Sequence, residues 1–401
     1  MFDQQKDINV WKQGQLFCYN PRLSSQRPAS RRYRMKRYFS SVFFCVFVYT
    51  LLIQSACQHD AKSTDEKNVE HYLSFSRFTD PREYSFMLKN LPDDVLGICE
   101  IAKQQSVHHN LLPYFKVPRN KWDDMNRIWP PYMYDQLKAL KDTEPFNLYD
   151  PRPVEQRLIG ACMSESHFLA GLLRYKNIPA RLRAGYFKDI SSNEEHFIKF
   201  WMNVAREKEW AGNLLSGQEK WKENITAFLN RQLSANHYIE HWVCEYWDET
   251  EKKWRILDAN NTFLKASSGI EVGFHLSTVH FEYAYEAWEK MRTDKNFNPD
   301  QYFEESFDGR THIRSQLLWD FFSLLNHDLA GFSTPKRSSY QFIKLKKYEE
   351  TAAEEIKELD KLADLLAQEP TIEELVEFYR SSKILAFEAA EKDPYSFVYV
   401  H

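Results

Sequence analysis

Two stretches decide how this chain folds: residues 157–187, RLIGACMSESHFLAGLLRYKNIPARLRAGYF, and residues 240–260, EHWVCEYWDETEKKWRILDAN. In the first, Phe168, Leu169, Leu172 and Leu173 keep helical spacing within a run from Cys162 to Tyr175, which predicts a helix starting just after Gly160-Ala161. Asn177-Ile178-Pro179 breaks that helix, and Ala180 to Phe187 reads as a strand. In the second, His241 to Trp247 is rich in aromatic and β-branched residues, Asp248-Glu249-Thr250-Glu251 is a turn, and Trp254 to Leu257 is a second strand. A helix followed by antiparallel strands predicts an α+β fold.

Outward from these stretches the patterns are mostly helical. Leu91-Pro92-Asp93-Asp94 has the Pro and acids of a helix start, and Val95, Ile98, Cys99 and Ala102 share the buried face of the helix that follows. Residues 111–150, rich in Pro, Trp and Tyr, read as irregular structure with short helices, and residues 190–236 as a helical insertion. Beyond Asp258 the chain turns mainly helical. A last amphipathic run from Lys346 to Gln368 places Ile356, Leu359, Leu362 and Leu366 on one face; Pro370 ends it, and Thr371-Ile372-Glu373-Glu374 forms a capping box for one more helix.

The chemistry concentrates in the opening stretches. A thiol is a nucleophile only as thiolate, and a helix N-terminus and a neighbouring imidazole both favour that form. Cys162 has the first device by position, and Gly160 leaves room for a substrate backbone. His241 supplies the second if it faces Cys162, and Asp258, at the end of the next strand, can hold the imidazole tautomer. Strand alternation sets Trp242, Cys244 and Tyr246 on the face opposite His241, so Cys244 is no rival nucleophile. Cys99 reads as a core residue.

These residues resemble bacterial transglutaminase-like domains. The first stretch is similar to the nucleophile helix and following strand of that family, the second to its histidine strand, turn and aspartate strand. The likeness extends through LPDDVLGICEIAK (residues 91–103) and LLWDFFSLLNHDLAGF (residues 317–332). It implies a transglutaminase-like, papain-like core with an antiparallel sheet and added helices, and catalytic positions at Cys162, His241 and Asp258. It further implies acyl transfer on peptide or protein amides through a thioester, ending in hydrolysis or transamidation, with no cofactor and no metal. Trp242 follows the histidine directly, where many relatives place the Trp one position later, and the interval from Tyr186 to His241 is long. Gln156, six residues before Cys162, is a candidate oxyanion donor beside the Cys162 backbone N–H.

Two other readings compete. His237-Tyr238-Ile239-Glu240-His241 spells H-x-x-E-H, a zinc-peptidase pattern that needs a helix to put both histidines on one face. A transglutaminase-like domain can also serve as a catalytically inactive binding module. His108, His109 and His167 read as ordinary surface or helix histidines, Trp242 and Trp247 as core aromatics or groove lining, and the Glu/Lys run from Lys346 to Lys361 as a solvated helix face.

The N-terminal region has a different character. From Ile8 to His59 there is no Asp or Glu, while Arg31, Arg32, Arg34, Lys36 and Arg37 precede an apolar run from Val42 to Ile53. A run of about a dozen residues is too short for a bilayer core of ~30 Å at ~1.5 Å per residue. With Gln54-Ser55-Ala56-Cys57 behind it, the stretch looks like a bacterial lipoprotein signal with Cys57 as the lipidated residue, although Gln54 stands where an aliphatic residue is usual. Residues 1–56 are then a signal region (1–34 an over-extended start), 57–75 a tether, 76–335 the transglutaminase-like domain with its 190–236 insertion, and 336–401 a C-terminal helical extension. The expected location is the bacterial cell envelope, membrane-anchored through lipid. A peptide or protein is the expected substrate, and a net charge of −4 offers no basic surface for nucleic acid. Cys99, Cys162 and Cys244 remain in the mature chain and form no disulfide framework.

Overall fold

The computed structural model describes residues 68–122, 132–143, 147–188, 194–212, 238–302, 308–326 and 347–382, all within one compact unit. The signal region, Cys57, His237 and residues 213–236 of the insertion lie outside the described residues. Among the described residues, no helix is long and apolar enough to cross a membrane.

The architecture is α+β. A four-stranded antiparallel sheet runs in the order β5-β4-β3-β6, with β3 at Ala180–Phe187, β4 at Ile239–Asp248, β5 at Lys253–Leu257 and β6 at Phe281–Tyr283. A separate parallel pair joins β1 (Ser106–His108) to β2 (Leu158–Gly160). The helices are α1 (Val95–Gln105), α2 (Met133–Lys141), α3 (Cys162–Tyr175), α4 (Glu194–Gly212), α5 (Asn261–Ser268), α6 (Ala284–Thr293), α7 (Gly309–Leu324), α8 (Ala353–Leu366) and α9 (Ile372–Ser381).

Local signals explain most boundaries. The Asp94 carboxylate accepts the Gly97 N–H at 2.7 Å and starts α1. Asn177 takes a left-handed backbone, φ 54°, and ends α3 before Pro179 redirects the chain into β3. In the β4–β5 turn the Asp248 carboxylate accepts the Thr250 N–H at 2.9 Å, and Lys252 is left-handed at φ 49°. Thr371 and Glu374 close the expected capping box, with Glu374 accepting the Thr371 N–H at 2.8 Å. The last long helix begins at Ala353, later than its periodicity suggests, because Tyr348–Glu350 forms a separate 3-10 turn.

The sheet is buried on both faces. Leu182, Ala184, Trp242, Cys244 and Leu257 join the main core with α3 and α7, while Phe187, Val243, Ile256 and Phe281 join a second cluster with Phe197 and Phe200 of α4 and Phe263 of α5. Period-two alternation therefore holds along β3 and β4. Leu359, Leu362 and Leu366 of α8 belong to the main core, as does Tyr72, whose hydroxyl donates to the Leu324 carbonyl at 2.9 Å.

Charge is also buried here. Arg183 forks onto Asp320 of α7 at 2.9 and 2.8 Å, and Arg181 reaches Glu245 at 2.7 Å. Tyr283 donates to the other Glu245 oxygen at 2.6 Å. Burial works against an ionised Glu245, but Arg181 and Arg183 outweigh it and hold the carboxyl down at about 2. The network ties α7 to the central strands. Gly185, opposite His241 in the register, has no room for a side chain: a Cβ there would lie 2.2 Å from the Glu282 carbonyl oxygen, so β6 sits tight against β3.

Candidate functional site

The site forms where β5 leaves β4. Pairing between them stops at Leu257, opposite Cys244. Further along that edge β4 meets α3 instead of a strand. The Ser166 hydroxyl donates to the Trp242 carbonyl at 3.1 Å, and the Trp242 N–H donates to the Cys162 sulfur. The first turn of α3 thus occupies the edge that β5 vacates. Asp258, the residue after β5, is left beside His241, and its carboxylate lies 3.0 Å from Nε2.

That contact fixes the tautomer. A carboxylate only accepts, so Nε2 carries a proton. Nδ1 is buried with no partner among the described residues. The other Asp258 oxygen accepts the Asn260 N–H at 2.8 Å, at the start of α5. Asp258 is thereby held from two sides. Cys162, His241 and Asp258 are all buried; Asp258 contacts His241, and Cys162 meets the backbone of Trp242, the residue after His241, while no hydrogen bond joins Cys162 to His241 among the described residues.

At Gly160 a Cβ would sit 2.2 Å from the Ser164 hydroxyl, which accepts the Ala161 N–H and donates to the Ala161 carbonyl, both at 2.9 Å, so the glycine makes room for the start of the helix. One expectation needs correction: the Cys162 thiol is not lowered. Burial pushes it well above its ordinary value, Glu240 adds to this, the Trp242 N–H pulls it down, and Glu165 and Asp258 push it up again. Desolvation of the thiolate is the largest of these influences and sets the direction.

Glu165 is a residue that sequence reasoning missed. It lies one turn along α3 from Cys162, buried, with one carboxyl oxygen lacking any partner among the described residues. Burial, then the Asp258 charge, push it up to about 8, against a hydrogen bond with Ser106 and the Arg157 charge. An unfolded glutamate releases its proton near 4.5, and the folded one only near 8. Stability should therefore fall as pH rises across that interval and level off above it. Glu165→Gln is expected to be the more stable protein above pH 8, by on the order of 5 kcal/mol, with the advantage gone below about pH 4.5. Urea unfolding of both proteins across this range measures it, and a difference independent of pH would refute the assignment.

The other candidates resolve as follows. Ile239–His241 belongs to β4, so the helix required by a zinc-peptidase motif is absent there, and Glu240 pairs with His312 of α7 at 3.1 Å. Cys99, Cys162 and Cys244 are all free and buried, and burial pushes the thiols of Cys99 and Cys244 up. Gln156 ends the 3-10 turn leading into β2, its side-chain oxygen buried without a partner among the described residues. His108 and His167 are buried, not at the surface; His108 stacks on Phe263 at 4.0 Å and His167 packs against Phe78 at 5.5 Å. Trp242 is core, whereas Trp247 lines a cleft of about 1070 Å³ with Ile178, Pro179 and Asp248. That cleft lies toward the far end of β4, about five residues or ~16 Å from His241, and has no part in the constellation.

Comparison with protein-family models, with curated proteins and with solved structures found no match to this chain.

Proposed function

We propose that this chain is a cysteine-dependent acyl-transfer enzyme with a transglutaminase-like, papain-like core, acting on peptide or protein amides. The observation that carries the reading is the joint placement of Cys162 on the N–H of Trp242, the residue after His241, and of Asp258 on His241 Nε2. A nucleophile at a helix start, a base with one free nitrogen and an acid fixing the other supply the parts of a general-base mechanism.

In that mechanism the Cys162 sulfur attacks the amide carbonyl while His241 Nδ1 takes the thiol proton. The carbonyl oxygen gains negative charge opposite the unbonded N–H groups of the first turn of α3, that of Cys162 foremost. The C–N bond then breaks, the amine leaves with the proton returned by His241, and the acyl group stays on sulfur as a thioester. Water or a second amine attacks the thioester, giving hydrolysis or transamidation. A raised thiol suits this concerted route, in which the proton moves only as the substrate is attacked. Export and lipid anchoring at Cys57 would place the reaction at the cell envelope.

The same raised thiol favours one rival, a catalytically inactive binding module. The full chain and its Cys162→Ala variant, assayed on amide donors with and without a primary amine acceptor, separate the two. Product release or amine incorporation lost in the variant is expected; equal behaviour on every active substrate would sink the proposal.

A further inference from the structure

We propose that the cleft beside Trp247 is a docking site for a short peptide segment that presents a lysine or arginine between apolar side chains. The cleft, of about 1070 Å³, lies apart from the triad, and its apolar lining includes Leu73, Val95, Ile178 and Trp247. Four separate stretches supply those side chains: the segment before the first 3-10 turn, the start of α1, the turn from α3 into β3, and the end of β4. Hydrogen bonds tie these walls to one another. The Ala180 N–H donates to the Tyr72 carbonyl at 3.1 Å, and the Trp247 N–H to the Pro179 carbonyl at 3.0 Å. Lys176, at the end of α3, donates to the Leu91 carbonyl at 3.3 Å and pairs with Asp93. A cleft built this way is preformed, so a ligand need not order it.

Charge decides which ligand suits the cleft. Glu70, Asp93, Asp248 and Glu249 line it, with Lys252 as the cation among the lining residues. Asp248 pairs with Arg255 at 3.2 Å, Glu249 with Lys252, and Asp93 with Lys176. Glu70 is exposed and has no ion pair among the described residues, so its charge is the one left over. Two of the paired acids are themselves open to water: the Asp93 side chain is 95% exposed and that of Glu249 66%. Exposed pairs of this kind hold weakly and can exchange partners. A lysine or arginine answers both features of the cleft, with its aliphatic stem along the apolar lining and its charge against Glu70. The indole of Trp247 adds a face that attracts a cation. An acidic segment would meet the uncompensated carboxylate instead. The volume exceeds that of any single side chain, which calls for a segment of several residues.

The test is fluorescence anisotropy on the full chain with short peptides carrying a neutral dye, one alternating leucine with lysine and one alternating leucine with glutamate. At low ionic strength the lysine peptide is expected to bind with a Kd below about 100 μM, at least about tenfold tighter than the glutamate peptide, and salt should narrow that gap. Glu70→Gln should weaken lysine-peptide binding by about threefold, the worth of one exposed charge pair. Trp247→Ala should weaken it by about tenfold. Glu354→Gln, which removes an exposed acid of α8 outside the cleft, should leave it unchanged. The proposal would be overturned by a lysine peptide that does not bind saturably, or by a glutamate peptide that binds as tightly. An affinity unchanged in Glu70→Gln or in a folded Trp247→Ala would overturn it too, as would an equal loss in Glu354→Gln. Because Glu70 lies at the surface, its variant keeps the test decisive even where Trp247→Ala folds poorly.

Discussion

Asp258→Asn is expected to slow acyl transfer by on the order of 10³ to 10⁴-fold while leaving the fold intact. The carboxylate has two acceptor duties, one oxygen toward His241 Nε2 at 3.0 Å and the other toward the Asn260 N–H at 2.8 Å. An asparagine has a single acceptor oxygen. If that oxygen keeps the Asn260 N–H, its NH₂ faces Nε2 and forces the proton onto Nδ1, where the thiol proton has to go. If it turns toward His241 instead, the Asn260 N–H loses its partner at the start of α5, and no negative charge remains to stabilise the imidazolium. Rates on any amide turned over by the wild type, measured with unfolding midpoints of both proteins, check this. A loss below about tenfold would mean that Asp258 does not orient the base.

The second large effect is on stability. Arg183→Leu is expected to cost about 3 to 5 kcal/mol, because it leaves Asp320 and Glu245 in the core without their shared cation. Asp320 is completely buried, and one of its oxygens also accepts the Ala184 N–H at 2.9 Å, so it cannot turn away to water. Arg183→Lys should recover only part of the loss, since an ammonium cannot fork across both Asp320 oxygens. Urea unfolding at neutral pH measures both variants. A cost for Arg183→Leu below 1 kcal/mol would show that the network contributes little net stability. The link to the site is α7, which this network anchors to β3 and which also carries His312 to Glu240.

The elements with long periodic patterns were legible in the sequence. The helix at Cys162–Tyr175, the strand at Ala180–Phe187 and the hairpin around Asp248–Glu251 follow from apolar spacing and turn residues, and the antiparallel hairpin was enough to place Asp258 beside His241. Strands β1, β2 and β6 were not legible, because three residues cannot display a period and their pairing is set by distant partners. The electrostatics of the site were hidden for a related reason. The helix start at Cys162 argues locally for an easier thiolate, but burial is a property of the packed whole, and it pushes the thiol the other way. Glu165 and Glu240 looked like ordinary polar positions of a helix and a strand. Their bearing on the Cys162 thiol arises only once α3 docks on β4.

Nucleophilic catalysis by Cys162 with His241 as its base is tested most directly by alkylation with neutral iodoacetamide at pH 7, followed by mass spectrometry of the Cys162, Cys99 and Cys244 peptides. All three thiols are buried, so Cys99 and Cys244 serve as internal references. Cys162 is predicted to react faster than both by at least about tenfold, and to lose that advantage in His241→Ala, because in the proposed mechanism its proton alone passes to an imidazole. Equal rates at the three cysteines, or an unchanged Cys162 rate in His241→Ala, would contradict it.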